Sequence, residues 1–204
     1  LPFVREQVDL GALPKPQTHI MLIAGNPGQA FTVAQLPNSG VGLARMEFII
    51  SNHIGVHPRA LLEFDTLAPA LQAEIREHIQ GYASPVDFYV QKLAEGIATI
   101  TAAFYPKPVI IRSSDFKSNE YAQLVGGSAF EPQEENPMIG FRGCSRYYAD
   151  SFRDCFALEC RAIRLVREQM GLTNLEVMLP FVRTVEEVQK VAAIMAEHGL
   201  KRGD

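Results

Sequence analysis

Between residues 108 and 115 three consecutive β-branched residues, Val109, Ile110 and Ile111, run directly into Arg112, two serines and Asp115. A β-branched run of this kind reads as a strand buried on both faces, the habit of parallel sheets. Its abrupt polar end puts charge at the C-terminal end of a strand, where parallel α/β folds build their sites. Two other stretches repeat the arrangement. Residues 40–48 bring Arg45, with Glu47 two places on, out of a glycine-spaced apolar run, and residues 136–143 do the same with Arg142. Three arginines in equivalent positions point to one anion-binding site.

The rest of the chain alternates in the manner such a sheet requires. A strand over about 19–24 ends in the turn signal Gly25-Asn26-Pro27-Gly28, and a short helix follows over 29–36. The second strand is 41–45. Leu71, Ile75 and Ile79, four apart, predict a helix over 68–80. Ser84-Pro85 reads as an N-cap with proline at the first helical position; the helix runs to about 104 with Phe88, Leu93, Ile97 and Ile100 inward. Beyond Asp115, residues 116–135 form a long loop without periodicity. A short fourth strand is expected over 138–142. A helix over 151–170 turns Phe152, Phe156, Ile163 and Val166 inward and stops at Gly171. A fifth strand covers 175–179, and a capping box of Thr184 and Glu187 opens a last helix to about His198. Residues 1–14 hold one apolar cluster and no period.

Five βα repeats imply a parallel sheet with helices packed outside it. A complete eight-stranded barrel takes about 250 residues. The expected fold is therefore α/β, a partial (β/α)8 barrel of about five units truncated at its C-terminus, in one domain over residues 1–204; an open sheet is the alternative. Such a sheet leaves two edges and one inner face uncovered, so the chain is expected to self-associate or to come from a longer protein.

Composition narrows the partners. At 204 residues with 47% hydrophobic content, the chain can bury a full core. Its 23 acidic against 19 basic residues provide no basic surface for nucleic acid. No apolar run approaches the roughly 20 residues of a membrane span, and no signal peptide is visible. Cys144, Cys155 and Cys160 lack CxxC spacing and read as reduced thiols in a cytoplasmic protein.

A guanidinium offers donors in a planar fork that matches a carboxylate or phosphate edge. Arg45, Arg112 and Arg142 around one pocket would suit a ligand carrying both groups. The competing reading pairs each arginine with an acid such as Glu47 or Asp115, and it explains one arginine more readily than three. Asp115 is expected to orient an arginine before it approaches a metal, and Glu47 to orient before it acts as a base. Cys144 beside Arg142 invites a nucleophile reading, but no histidine is near it in sequence and the following helix would bury it. His53 and His57 stand four apart, yet Gly55 and Pro58 spoil a helical pair, so no metal site is expected in this chain.

Residues 112–121 (RSSDFKSNEY), with GVGLARMEF at 40–48, ENPMIGFRG at 135–143 and SFRDC at 151–155, resemble the substrate-binding domain of the phosphoenolpyruvate-utilising enzymes over nearly the whole chain. That family includes the phosphoenolpyruvate synthases (pyruvate, water dikinases), the pyruvate phosphate dikinases and enzyme I of the sugar phosphotransferase system. The run SSDFKSNEY is similar to the synthases; a pyruvate phosphate dikinase, or a non-catalytic phosphoenolpyruvate-binding module, is the alternative. The resemblance implies a (β/α)8 barrel that binds pyruvate or phosphoenolpyruvate at its strand ends. Arg45 and Arg112 match the family's substrate-binding arginines, and Arg142 matches a third in the same pocket. It further implies a parent enzyme that converts ATP, pyruvate and water to AMP, phosphoenolpyruvate and phosphate. A phosphohistidine on a separate mobile domain would carry the phosphoryl group, and the parent would be a homodimer. The family's Mg²⁺ ligands and proton-donor cysteine have no counterpart here, and Cys144, Cys155 and Cys160 fall outside its cysteine motif. The chain is thus expected to hold about half of an active site and to be inactive alone.

Overall fold

In the computed structural model, which describes residues 16–203 together with Asp9, Ala12 and Pro14, the frame is a parallel sheet. Among the described residues its strands are β1 (Leu22–Ala24), β2 (Val41–Arg45), β3 (Val109–Arg112) and β4 (Leu175–Met178), hydrogen-bonded in chain order. The apolar cluster near the N-terminus falls largely outside the described residues. Helices fill the connections: α1 (Ala30–Val33) between β1 and β2; α2 (Met46–Ile49), α3 (Pro58–Leu62), α4 (Pro69–His78) and α5 (Pro85–Ala103) between β2 and β3. Then come α6 (Ser118–Tyr121), α7 (Cys144–Tyr147) and α8 (Arg153–Arg164) before β4, and α9 (Val185–Glu197) after it. This mixed α/β order with helical crossovers is consistent with part of a β/α barrel.

The helices begin and end where local chemistry dictates. Ser84 Oγ accepts the Asp87 N–H at 3.0 Å and Pro85 occupies the first helical position of α5. Phe88, Leu93, Ile97 and Ile100 then fall on its buried side. On α8 the buried side is Phe156 and Ile163, flanked by Phe152 before and Val166 after it. Gly171, with φ of 71°, stops the chain beyond the π-turn that prolongs α8. In α9 Thr184 Oγ1 accepts the Glu187 N–H, but the Glu187 carboxylate reaches back to the Arg183 N–H rather than to Thr184.

Two expectations are corrected. Residues 138–142 form turns, not a strand, so among the described residues the sheet has four strands where five were expected. Asn136 Oδ1 accepts the Met138 N–H, and Glu134 Oε1 accepts the Phe141 N–H at 2.9 Å, so side chains satisfy backbone that a ladder would otherwise pair. Met138 and Ile139 are 56% and 70% exposed; the apolar run faces outward. Second, β3 is buried on one face only. Val109 and Ile111 join Val41, Ala44 and Leu175 in the core, while Ile110 is half-buried beside exposed Glu176. Leu43 is half-buried and Ile23 is 68% exposed on the outermost strand β1. No helix among the described residues is long and apolar enough to cross a membrane.

The core is tight where α5 meets α2. A Cβ on Gly96 would lie 2.5 Å from Cγ2 of fully buried Ile49. Alanine at a helix interior gains about 1 kcal/mol over glycine, whereas forcing a methyl into a packed core costs about 1–3 kcal/mol. Because the obstructing atom sits on the stiff β-branch, the second effect wins. Gly96→Ala is expected to lower unfolding free energy by about 1 kcal/mol in urea titration; an unchanged or raised value would show that Ile49 moves aside freely.

Candidate functional site

The register of the sheet sets Arg45 at the end of β2 beside Arg112 at the end of β3, with Met178 of β4 next in the row. Beyond these ends lies a cleft of about 660 Å³, lined by Arg45, Glu47, Arg112, Asp115, Lys117 and Arg142 among others. The three arginines singled out from the sequence therefore share one cleft, and so do Glu47 and Asp115. Arg142 arrives differently from the expectation, carried by the turns after Asn136 rather than by a strand end.

The arginines are not equally available. Asp115 accepts Arg142 through both oxygens, Nε to Oδ1 at 2.9 Å and Nη2 to Oδ2 at 3.0 Å, and it approaches Arg112 Nη1 at 3.3 Å. Glu47 Oε1 accepts Arg112 Nη2 at 2.8 Å together with the Asp115 N–H. The remaining hand of Arg142, Nη1, donates to the Met138 carbonyl at 3.2 Å. The Arg45 side chain makes no hydrogen bond or ion pair with another described residue; its guanidinium lies 5.8 Å from the Phe48 ring and the residue is exposed. The acid-pairing reading thus describes Arg112 and Arg142, and the open-donor reading describes Arg45. Burial raises the Glu47 carboxyl above its ordinary value while the Arg112 charge pulls it down, and its Oε2 is buried without a partner.

The turn that carries these groups is held from behind. Ser114 N–H donates to Glu159 Oε2 at 3.1 Å, its hydroxyl reaches Glu159 Oε1 and lies 2.7 Å from the Tyr121 hydroxyl, and its carbonyl accepts the Tyr147 hydroxyl at 2.6 Å. Every polar group of Ser114 ends in a buried side chain. Glu159 is fully buried with no cation paired to it among the described residues, and burial pushes its carboxyl up to about 7. Farther out, buried Arg146 grips Glu131 with both hands at 2.6 and 2.7 Å, between the rings of Tyr121, Phe141 and Phe152. His57 Nδ1 accepts the Arg59 N–H, so its Nε2 carries the proton donated to Glu131 at 3.0 Å. His57 is a helix cap and packing group, not half of a metal pair.

Sequence reading missed Glu159, Arg146 and Glu131. Glu159 had a signal: it stands three residues after Phe156 and four before Ile163, on the apolar face of α8. Arg146, four after Arg142, had none. Cys144 is fully buried, and burial pushes its thiol up to about 11, so it is no nucleophile near neutral pH. The carboxylates in the cleft do not make a magnesium site. Both oxygens of Asp115 and one of Glu47 are committed to arginines and the backbone, whereas Mg²⁺ requires close to six oxygens in octahedral array.

The family described as PEP-utilising enzyme, PEP-binding domain, matches residues 5–202. The chain belongs to that family. It is 60% identical over 196 residues to a protein of Neisseria meningitidis named phosphoenolpyruvate synthase, covering 96% of this chain and 25% of the relative. Proteins of the same name from Escherichia coli and Aquifex aeolicus are 60% and 46% identical, over 100% and 98% of this chain and 26% and 29% of theirs. The chain thus spans about a quarter of the length of these curated relatives.

Glu159 supplies a pH test of the buried clamp. A carboxyl raised from 4.5 to about 7 disfavours the folded state once ionised, by up to about 3 kcal/mol above pH 7. The native chain is therefore expected to lose stability relative to Glu159→Gln as pH rises from about 4.5 to about 7.5. Urea unfolding of both at acid and mildly alkaline pH measures this; a difference that does not change with pH would mean Glu159 titrates normally.

Proposed function

We propose that the cleft binds pyruvate and phosphoenolpyruvate through Arg45, Arg112 and Arg142, as one part of a protein that forms phosphoenolpyruvate from ATP, pyruvate and water. The observation that carries this reading is Arg45: an exposed guanidinium with no carboxylate partner among the described residues, next in register to Arg112 and facing the same cleft as Arg142. Family membership supports the class of ligand, and the relatives' name supports phosphoenolpyruvate as the product; ATP, pyruvate and water as reactants are part of the proposal.

Phosphoryl transfer to the enolate oxygen of pyruvate gathers negative charge on the carboxylate, the enolate oxygen and the moving phosphoryl group. Fixed guanidinium donors stabilise that charge without reorganising. Arg45 meets the ligand first because its donors are open. Arg112 follows, its Nη2 and Nη1 shared with Glu47 and Asp115 and its buried Nε without a partner. Arg142, whose fork is filled by Asp115, serves by holding that carboxylate away from the ligand and contributes its own charge at second hand. Glu47 and Asp115 orient the guanidinium planes. Mg²⁺ would add Lewis-acid stabilisation of the phosphoryl oxygens, held by residues outside this chain. ATP, the phosphohistidine domain that delivers the phosphoryl group, a homodimeric parent and a cytoplasmic location belong to the same proposal. The inner sheet face, with its exposed Ile23, is a surface that further parts of such a protein would cover.

Calorimetric titration with phosphoenolpyruvate tests the site. Arg45→Ala is expected to weaken binding about 10- to 100-fold, the loss of a charge-assisted pair, with little change in melting temperature because Arg45 has no partner to orphan. Arg142→Ala is expected to cost less than about tenfold. Equal affinity for the native chain and Arg45→Ala would refute the reading. Separately, the 204 residues alone are expected to form no phosphoenolpyruvate from ATP and pyruvate; turnover by this chain would overturn the division of labour.

A further inference from the structure

The loop after β4 lies at the same end of the sheet as the cleft, and it grips the turns that carry Arg142. Arg183 spreads its guanidinium over their backbone. Nη2 donates to the carbonyls of Gly140 at 2.9 Å and Ile139 at 3.3 Å, and Nη1 donates to the Arg142 carbonyl at 3.3 Å and to Ser145 Oγ at 3.2 Å. Four acceptors within seven residues of chain face one side chain. Only the planar fork of an arginine can span them; a lysine ammonium offers three donors at a single point.

The grip is itself anchored. The Arg183 N–H donates to Glu187 Oε2 at 2.6 Å, and Glu187, nearly fully buried in the first turn of α9, also accepts the Tyr148 hydroxyl. Between Arg183 and Arg142 stands the ring of Phe181, 4.5 Å from the guanidinium carbon of the first and 4.7 Å from that of the second. Phe181 adopts φ of 53°, in the left-handed region that a bulky side chain avoids. Across from it Gly143 leaves no room for a Cβ, which would fall 2.5 Å from Phe181 Cβ and 2.6 Å from the Pro180 carbonyl. A backbone conformation this unfavourable persists only where its surroundings over-determine it, and here the surroundings are the two guanidiniums and the Gly143 backbone.

We infer that Arg183, acting with Phe181, is a positioning residue for Arg142 and through it for anion binding in the cleft. The inference deepens the proposed function and rests on it. The turns at 138–142 have no strand ladder to fix them; Glu134 and Arg146 hold the Phe141 N–H and carbonyl, whereas the Ile139 and Gly140 carbonyls are met by Arg183. Without Arg183 the Arg142 fork would still hold Asp115, but on a moving base, so Asp115 would wander toward the ligand's place beside Arg112. Arg183 touches no ligand in this scheme. Its effect passes through Arg142 and must vanish when Arg142 is gone.

The test uses the full chain as the native protein, Arg183→Ala, Arg183→Lys, Arg142→Ala and the Arg183→Ala/Arg142→Ala double variant. Hydrogen exchange of the segment 138–143 and calorimetric affinity for phosphoenolpyruvate are measured on each. Arg183→Ala is expected to speed exchange there and to weaken affinity about three- to tenfold, the worth of one or two hydrogen bonds. Arg183→Lys is expected to behave as the alanine variant does, because charge without the fork does not hold the loop. In the Arg142→Ala background, loss of Arg183 is expected to change affinity less than about twofold. Unchanged exchange, full affinity in the lysine variant, or an undiminished effect without Arg142 would each overturn the inference while leaving the site reading intact. A native chain that takes up no phosphoenolpyruvate would instead remove the site reading, and this inference with it.

Discussion

Guanidinium groups repel one another, and a cleft that gathers several can exist only if something lies between them. Asp115 does so. Its two oxygens accept two N–H groups of Arg142, and one of them lies 3.3 Å from Arg112 Nη1, while its own backbone N–H is fixed by Glu47. The neighbours come from two crossovers: α2 from the one after β2, and the turn after β3 and the loop ahead of α7 from the two ends of the one after β3. The ends of these elements converge because the strands are parallel and in chain order, so all their C-termini lie on one side. Exposed ion pairs contribute little to stability, but these are half-buried to buried, and their worth is in fixing direction.

Behind the cleft, the chemistry turns from charge to burial. Ser114 has no freedom left: α8 holds its N–H, α6 faces its hydroxyl and α7 donates to its carbonyl. Consecutive N–H groups, of Ser114 and Asp115, therefore point to acids on opposite sides of the strand end, Glu159 inward and Glu47 toward the cleft. The hydrophobic core thus reaches the site through one serine. Arg146 does a related task farther out, a buried cation whose cost is offset by two hydrogen bonds to Glu131 and by three aromatic faces.

Much of the frame was legible in the sequence because its signals are local. The strands that became β1 to β4, the Ser84 and Thr184 caps, and the inward faces of α5 and α8 all follow from residue types at short spacing. The convergence of Arg45, Arg112, Glu47 and Asp115 was legible as well, since strand ends carry an address; Arg142 reaches the same cleft from turns where no strand ends. The turns at 138–142 were not legible, because an apolar run says nothing about which way it faces; Glu134, close in sequence, and Arg183, distant in it, satisfy their backbone instead. Nor could spacing foretell which arginines would be paired. Arg142 and Arg146 sit one helical turn apart in number, yet one meets Asp115 from 27 residues away and the other meets Glu131 under aromatic cover. Such outcomes depend on long-range packing that no window of sequence contains.

The filled forks of Arg112 and Arg142 have a bearing on selectivity. Glu47 and Asp115 are carboxylates tethered inside the cleft, present at the high effective concentration that tethering gives, and they compete with any anion that enters. Where it meets Arg112 or Arg142, a solute's carboxylate can only replace one of these acids, exchanging like for like. A solute with a second anionic group also reaches Arg45, where no internal competitor stands among the described residues. In the proposed site these tethered acids therefore favour a doubly anionic molecule over a monoanion such as pyruvate, whose single carboxylate finds open donors only at Arg45.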